Sequence, residues 1–268
     1  MTAALLAVLL LALSGCAALQ PEPSSLPQET AAPSASPAPA DTPEPTGAPE
    51  PEEAHIVCID PGHQRFGSST PEPIGPGAAQ TKARVTGGTQ GRFTGVTEYE
   101  LNLAVSLLLR DELTARGYTV VMTRETNDVD ISNAERAAIA ESAGAEVFVR
   151  IHANGSDDPG KSGAMTICMT PQNPYNAALY SESRALSNCV LDALVAAAGC
   201  RREYVWETDT MSGINWASMP VTIVEMGYMT NEQEDRLLAT DDYRARLAQG
   251  IADGIGAYFA HSESEGTP

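Results

Sequence analysis

The chain has 268 residues and carries 16 Lys plus Arg against 35 Asp plus Glu, for a formal net charge of −19 and a pI near 4.4, which argues against nucleic acid as a partner. The charge is unevenly spread: no Lys or Arg precedes Arg65, and ten of the 19 prolines fall between residues 17 and 53. Two different kinds of chain are joined, an uncharged or acidic leading stretch and, over residues 54–262, a sequence apolar enough to form one α/β domain.

The leading stretch divides in turn. Residues 4–12 are an unbroken Leu, Ala and Val run, shorter than the ~20 residues a bilayer-spanning helix requires but of the length of a secretory core. Leu13-Ser14-Gly15-Cys16 follows it and resembles a bacterial lipoprotein signal, which implies cleavage before Cys16 and acylation of that cysteine. No basic residue precedes the run, a departure from that pattern. Residues 17–53 contain seven acids, no base, no aromatic residue and two leucines, so they are expected to act as an extended, solvated tether. The expected placement is therefore export, with lipid anchorage to the outer face of the bacterial cytoplasmic membrane.

Within 54–262 the predicted elements alternate. His55 to Asp60 reads as a buried strand ending in Pro61-Gly62, and residues 64–97 as a long loop rich in Gly, Pro and Thr. Thr97 is placed to cap a helix whose Leu101, Val105, Leu109 and Leu113 recur at helical spacing up to Gly117. Strand 118–122, a capping box Ser132-x-x-Glu135 opening a helix to about Ala143, and strand 146–152 follow. Then come strand 163–169, helix 176–198, strand 221–225 and helix 241–260. The expected fold class is α/β: a single domain with a mainly parallel twisted sheet flanked by helices on both faces. Of the five cysteines, Cys58 and Cys168 lie in apolar runs and read as buried thiols, and the absence of any Cys-x-x-Cys pair rules out a zinc ribbon.

Chemistry is sought where strands end, since open α/β sheets place their sites there. Of four histidines, His63 follows the first strand and turn, and His152 ends Val-Phe-Val-Arg-Ile-His. Two His and one carboxylate are a common catalytic zinc set. Glu98, in the first turn of the helix beginning at Thr97, is the favoured third member, and Glu100 its rival; either gains from the helix N-terminus without any metal. Glu225 ends the apolar run Val221-Thr-Ile-Val, so it is paired, bound to metal, or shifted in pKa. An ion pair with Arg136 or Arg150 is the competing reading.

Taken in order, Ile59-Asp-Pro-Gly-His63, Glu98-x-x-x-Asn102-Leu103, Arg150-Ile-His-Ala-Asn154 and Val224-Glu225-Met-Gly-Tyr228-Met-Thr-Asn231 resemble the motifs of zinc-dependent N-acetylmuramoyl-L-alanine amidases of the amidase-3 type. The resemblance covers about residues 55–260 and favours Glu98 over Glu100, because the metal-binding Glu of that family stands four residues before the Asn-Leu pair. It implies zinc held by His63, Glu98 and His152, with Glu225 as catalytic acid and base. It also implies a monomeric enzyme that hydrolyses the amide between N-acetylmuramic acid and L-alanine in peptidoglycan. Two departures stand out: 34 residues separate His63 from Glu98, read as a specificity or regulatory insertion, and Trp206 to Trp216 reads as a second rim of the site. A catalytically silent wall-binding lipoprotein and a zinc peptidase acting on the stem peptide are the alternatives.

Overall fold

The computed structural model describes residues 54–266; the signal, Cys16 and the tether lie outside the described residues. Among the described residues eight strands are formed: β1 (Ile56–Pro61), β2 (Ser68–Pro73), β3 (Thr81–Val85), β4 (Thr119–Met122), β5 (Val147–Asn154), β6 (Ala164–Cys168), β7 (Arg202–Glu207) and β8 (Val221–Tyr228). The helices are α1 (Glu98–Ala115), α2 (Asn133–Ser142), α3 (Tyr180–Ala198), α4 (Ser212–Asn215), α5 (Glu232–Leu238) and α6 (Asp241–Gly266).

Six strands make one sheet in the order β4-β1-β5-β8-β6-β7, and β2-β3 is a separate antiparallel hairpin. The β1–β4, β1–β5, β5–β8 and β6–β7 pairs are parallel, whereas β6 runs antiparallel to β8. The expected mainly parallel α/β sheet is present, with one reversal at β6.

Strand alternation divides the core in two. On one face Val57, Ile59, Val149, Ile151, Val224 and Met226 meet the apolar stripes of α1, α3 and α6. On the other, Cys58, Phe148, Met165, Ile167, Val221 and Ile223 meet the shorter α2 and the single turn α4 through Ala137, Ala140 and Ile214. Cys58 and Cys168 are buried free thiols as expected, and Cys189 and Cys200 are half-buried free thiols. Among the described residues, no helix is long and apolar enough to cross a membrane.

Local signals held where they were strong. The capping box at α2 is closed, with Glu135 N donating to Ser132 Oγ (3.2 Å) and Ser132 N to Glu135 Oε2 (2.7 Å). Thr97 stands at the N-cap of α1, yet its hydroxyl donates to Glu100 Oε2 at 2.6 Å instead of capping the backbone. Other boundaries differ. The helix expected from 176 begins at Tyr180 after a 3-10 turn; Asn176 Nδ2 donates to the carbonyls of Ile214 and Ala217, and its side chain makes no cap hydrogen bond. The last helix continues to Gly266. β7, α4 and α5 were not expected at all. Nor is the 64–97 segment only a loop: it folds into the β2-β3 hairpin, tied down by Trp216 Nε1 to Pro73 O (2.9 Å) and Lys82 Nζ to Thr210 O (2.6 Å). Trp216 is half-buried in this contact, and Trp206 is exposed on the edge strand β7.

Candidate active site

The turn after β1 is the first fixed part. Arg124 Nε and Arg136 Nη1 donate to Pro61 O (2.8 and 3.0 Å), Arg124 Nη2 and Asn102 Nδ2 to Gly62 O (3.1 and 3.2 Å), and Arg136 Nη2 to His63 O (3.0 Å). Such bonding holds His63 in the left-handed region, at φ 60°, a conformation that costs a non-glycine residue of order 1–3 kcal/mol. His63 Nδ1 then donates to Thr86 O at 2.8 Å, which leaves Nε2 turned inward.

Glu98 reaches this point from the N-terminus of α1. Its Oε1 lies 3.1 Å from both His63 Nε2 and His152 Nδ1, and Oε2 accepts from Thr89 N at 2.8 Å. Ligand atoms of His63, Glu98 and His152 all lie within 4.8 Å of one another. Glu100, the rival, is exposed and bonded to Thr97. The other two histidines take no part: His55 stacks on Phe259 with centroids 3.9 Å apart, and His261 lies on α6.

The donor chemistry fits a cation. Because the Nδ1 hydrogen of His63 is committed to Thr86, the lone pair of Nε2 faces a carboxylate oxygen at 3.1 Å, a contact that needs either a charged ring or a cation between them. The second ring nitrogen of His152, Nε2, is buried without a partner. Protonation favours the same outcome. Burial lowers the His152 pKa to about 4, the hydrogen bond to Glu98 opposing only in part, so the ring is neutral at ordinary pH. Burial would raise Glu98, but its bonds to His152 and His63 hold it well below the usual carboxylate range. Gly62 leaves the room: a Cβ there would sit 2.2 Å from His152 Nε2.

Glu225 is brought to the same place by the sheet. In the parallel β5–β8 ladder it is the direct partner of His152, so both side chains rise from one face. Neither arginine weighed as its partner pairs with it: Arg136 Nη1 and Arg150 Nε bond Asp60 instead, at 2.6 and 2.7 Å. Glu225 Oε2 is buried with no partner. Burial, with the negative charge of Glu98 adding to it, pushes its pKa up to about 8. Beside it opens a cavity of about 460 Å³ whose wall includes His63, His152, Glu225 and Ile223, with Lys82 and Thr86 contributed by the hairpin side.

Several parts of this site escaped the sequence reading. The carbonyl clamp of Arg124, Arg136 and Asn102 was missed, as was the role of Thr86; only the Glu98-x-x-x-Asn102 spacing hinted that Asn102, whose Nδ2 also lies 3.4 Å from Glu98 Oε1, belongs to it.

A mainly parallel sheet with acid–base groups clustered over a cleft at its strand ends is the frame of an α/β enzyme. Residues 57–257 match the family described as N-acetylmuramoyl-L-alanine amidase (Amidase_3), and the chain belongs to that family. It is similar to the N-acetylmuramoyl-L-alanine amidase LytC of Bacillus subtilis, 33% identical over 165 residues that cover 62% of this chain and 32% of LytC. Over 212 residues it is 25% identical to the N-acetylmuramoyl-L-alanine amidase Rv3717 of Mycobacterium tuberculosis, covering 76% of this chain and 86% of the relative. The chain thus spans about a third of LytC and most of Rv3717. Among solved structures, the apo form of the N-acetylmuramyl-L-alanine amidase Ami1 from Mycobacterium abscessus superposes with a TM-score of 0.70 at 29% identity, over 76% of this chain and 98% of Ami1.

Proposed function

We propose that the protein hydrolyses the amide bond between N-acetylmuramic acid and L-alanine in peptidoglycan, with zinc held by His63, Glu98 and His152 and with Glu225 as the group that moves the proton. The observation that carries this reading is the register of Glu225 with His152: a partnerless, protonatable acid stands beside a cluster of two imidazoles and an ionised carboxylate. Zinc, when bound, supplies Lewis acidity toward the scissile carbonyl and lowers the pKa of water. The chain's own residues do the rest. Glu225 in its carboxylate form accepts a proton from the attacking water as oxygen adds to the lactyl carbonyl carbon. It returns that proton to the alanine nitrogen as the C–N bond breaks, and a pKa near neutrality suits both transfers. Thr86 and the backbone clamp keep His63 oriented.

We further read residues 1–16 as an export signal, Cys16 as the acylated anchor and 17–53 as a spacer that lets the 54–262 domain reach the wall from the outer face of the membrane, with the enzyme acting as a monomer. Incubation of the purified zinc-loaded protein with muropeptides tests the activity. Free L-alanine amino termini with intact glycan are expected. Cleavage inside the stem peptide would make it a peptidase, and no product despite bound zinc would make it a silent wall-binding protein. His152→Ala should reduce the zinc stoichiometry; an unchanged metal content would refute the ligand set.

A further inference from the structure

The cavity beside Glu225 has a charge unlike that of the rest of the protein. Although the chain carries a net charge of −19, Arg136 and Arg150 stand on the wall of this cavity, and with Arg124 behind them three guanidiniums are buried around the carboxylate of Asp60. Asp60 is shared by Arg136 and Arg150, and the site's other buried carboxylates, Glu98 and Glu225, pair with none of the three, so the positive charge on this wall has only one direct counter-charge. Lys82 adds to it from the hairpin side. Its ammonium donates to Thr210 O and pairs with no carboxylate among the described residues.

Arg150 is one of the two that line the cavity. It is only 4% exposed, its Nε bonds Asp60 Oδ2, and its Nη2 bonds Asn133 Oδ1 at 2.9 Å. No hydrogen bond is made by Nη1, which is directed at α4, where a Cβ on Gly213 would lie 1.0 Å from it. Both Arg150 and Gly213 line the cavity that holds Glu225. A buried guanidinium with an unused N–H and an unpaired ammonium on the walls of one cavity make a receptor for a carboxylate.

Its position selects which carboxylate. Arg150 and His152 are two residues apart on one face of β5, and two strand residues span about 7 Å. A peptide leaving the scissile amide covers a similar distance in two residues. We propose that Lys82 and Arg150 form a subsite for a free carboxylate on the residue that follows L-alanine in the stem peptide. The subsite thereby makes the enzyme selective for acidic over amidated stems. This inference rests on the amidase reading of the same cleft.

Two muropeptides that differ only in whether that carboxylate is free or amidated supply the test. The intact zinc-loaded protein should show a kcat/KM roughly tenfold or more higher for the acid, as expected for a charge-assisted hydrogen bond lost on amidation. In Lys82→Ala, and in Arg150→Lys as a variant that keeps charge opposite Asp60, the acid-to-amide ratio should fall toward one, while thermal unfolding confirms that each variant is folded. Equal kcat/KM for the two muropeptides in the unaltered protein, or a ratio untouched by Lys82→Ala, would overturn the subsite and leave the amidase reading standing. Hydrolysis of neither substrate would overturn both.

Discussion

Asp60 is the residue on which the site's support depends, and Asp60→Asn makes that dependence measurable. The side chain is fully buried between Arg136 Nη1 and Arg150 Nε, at 2.6 and 2.7 Å, and accepts from the hydroxyl of Thr123. Asparagine keeps the volume and one acceptor but leaves two buried guanidiniums without their shared counter-charge. Removing one partner of a buried ion pair costs about 3–5 kcal/mol. Arg136 and Arg150 retain the oxygens of Pro61, His63, Gln64 and Asn133, which places the loss toward the lower end. At roughly 2–4 °C per kcal/mol for a domain of this size, the melting temperature should fall by roughly 6–12 °C near neutral pH. The pH dependence follows from the direction of the shift. Burial alone would raise Asp60, but Arg136, Arg150 and Thr123 outweigh it and hold the carboxyl far below its ordinary 3.8. A depressed carboxyl contributes stability that is complete above its unfolded pKa and is lost as pH falls below it, at about 1.4 kcal/mol per pH unit. The difference between unaltered protein and variant should therefore be constant from pH 7 down to about 4 and narrow below that. Thermal unfolding followed by circular dichroism at several pH values reads both quantities. A loss under about 3 °C near neutrality would refute the idea that the pairs are structurally required, and a gap that stays constant into acid would refute the low pKa.

Two further substitutions address the chemistry. Glu225→Gln should lower turnover by about 10²- to 10⁴-fold, the usual worth of a positioned acid–base group, while zinc content stays unchanged; a parallel loss of metal would make Glu225 a ligand instead. Gly62→Ala should displace the His152 ring, because the new Cβ would meet its Nε2 at 2.2 Å, so zinc affinity should drop, and the overpacking should also lower the melting temperature by a few degrees. Retention of full metal affinity, measured by competition with a chelator, would show that the ring has slack the geometry does not suggest.

What could be read from the sequence was whatever is local. His63, His152 and Glu225 stood out because each follows or interrupts an apolar strand, and Glu98 because it opens a strongly periodic helix. The elements that hold them were not legible, since they depend on contacts far apart in the chain. Asp60 meets residues 76 and 90 positions away, and nothing in the local pattern of α2 marks Arg136 as fully buried rather than solvated. The β2-β3 hairpin was hidden for a different reason. Ser-Ser-Thr-Pro-Glu-Pro lacks the alternation of a strand and contains two prolines, and its pairing is anchored by Trp216 and Thr210 from beyond β7.

The same contrast explains why the site sits on one side of the sheet. The registers Asp60 with Arg150 and His152 with Glu225 put all four polar side chains on one face of β1, β5 and β8. Long apolar helices cannot cover such a row without stranding its charges. That face is instead closed by the ten-residue α2, which brings Arg136, and by the four-residue α4, and the space they leave is the cleft. On the opposite face, where Val57, Ile59, Val149, Ile151 and Val224 are uninterrupted by charge, α1, α3 and α6 pack directly and make the larger part of the core. The thin cover and the buried charges are one design constraint: polar residues required at the strand ends restrict what can pack above them, and the resulting gap is where a substrate can enter.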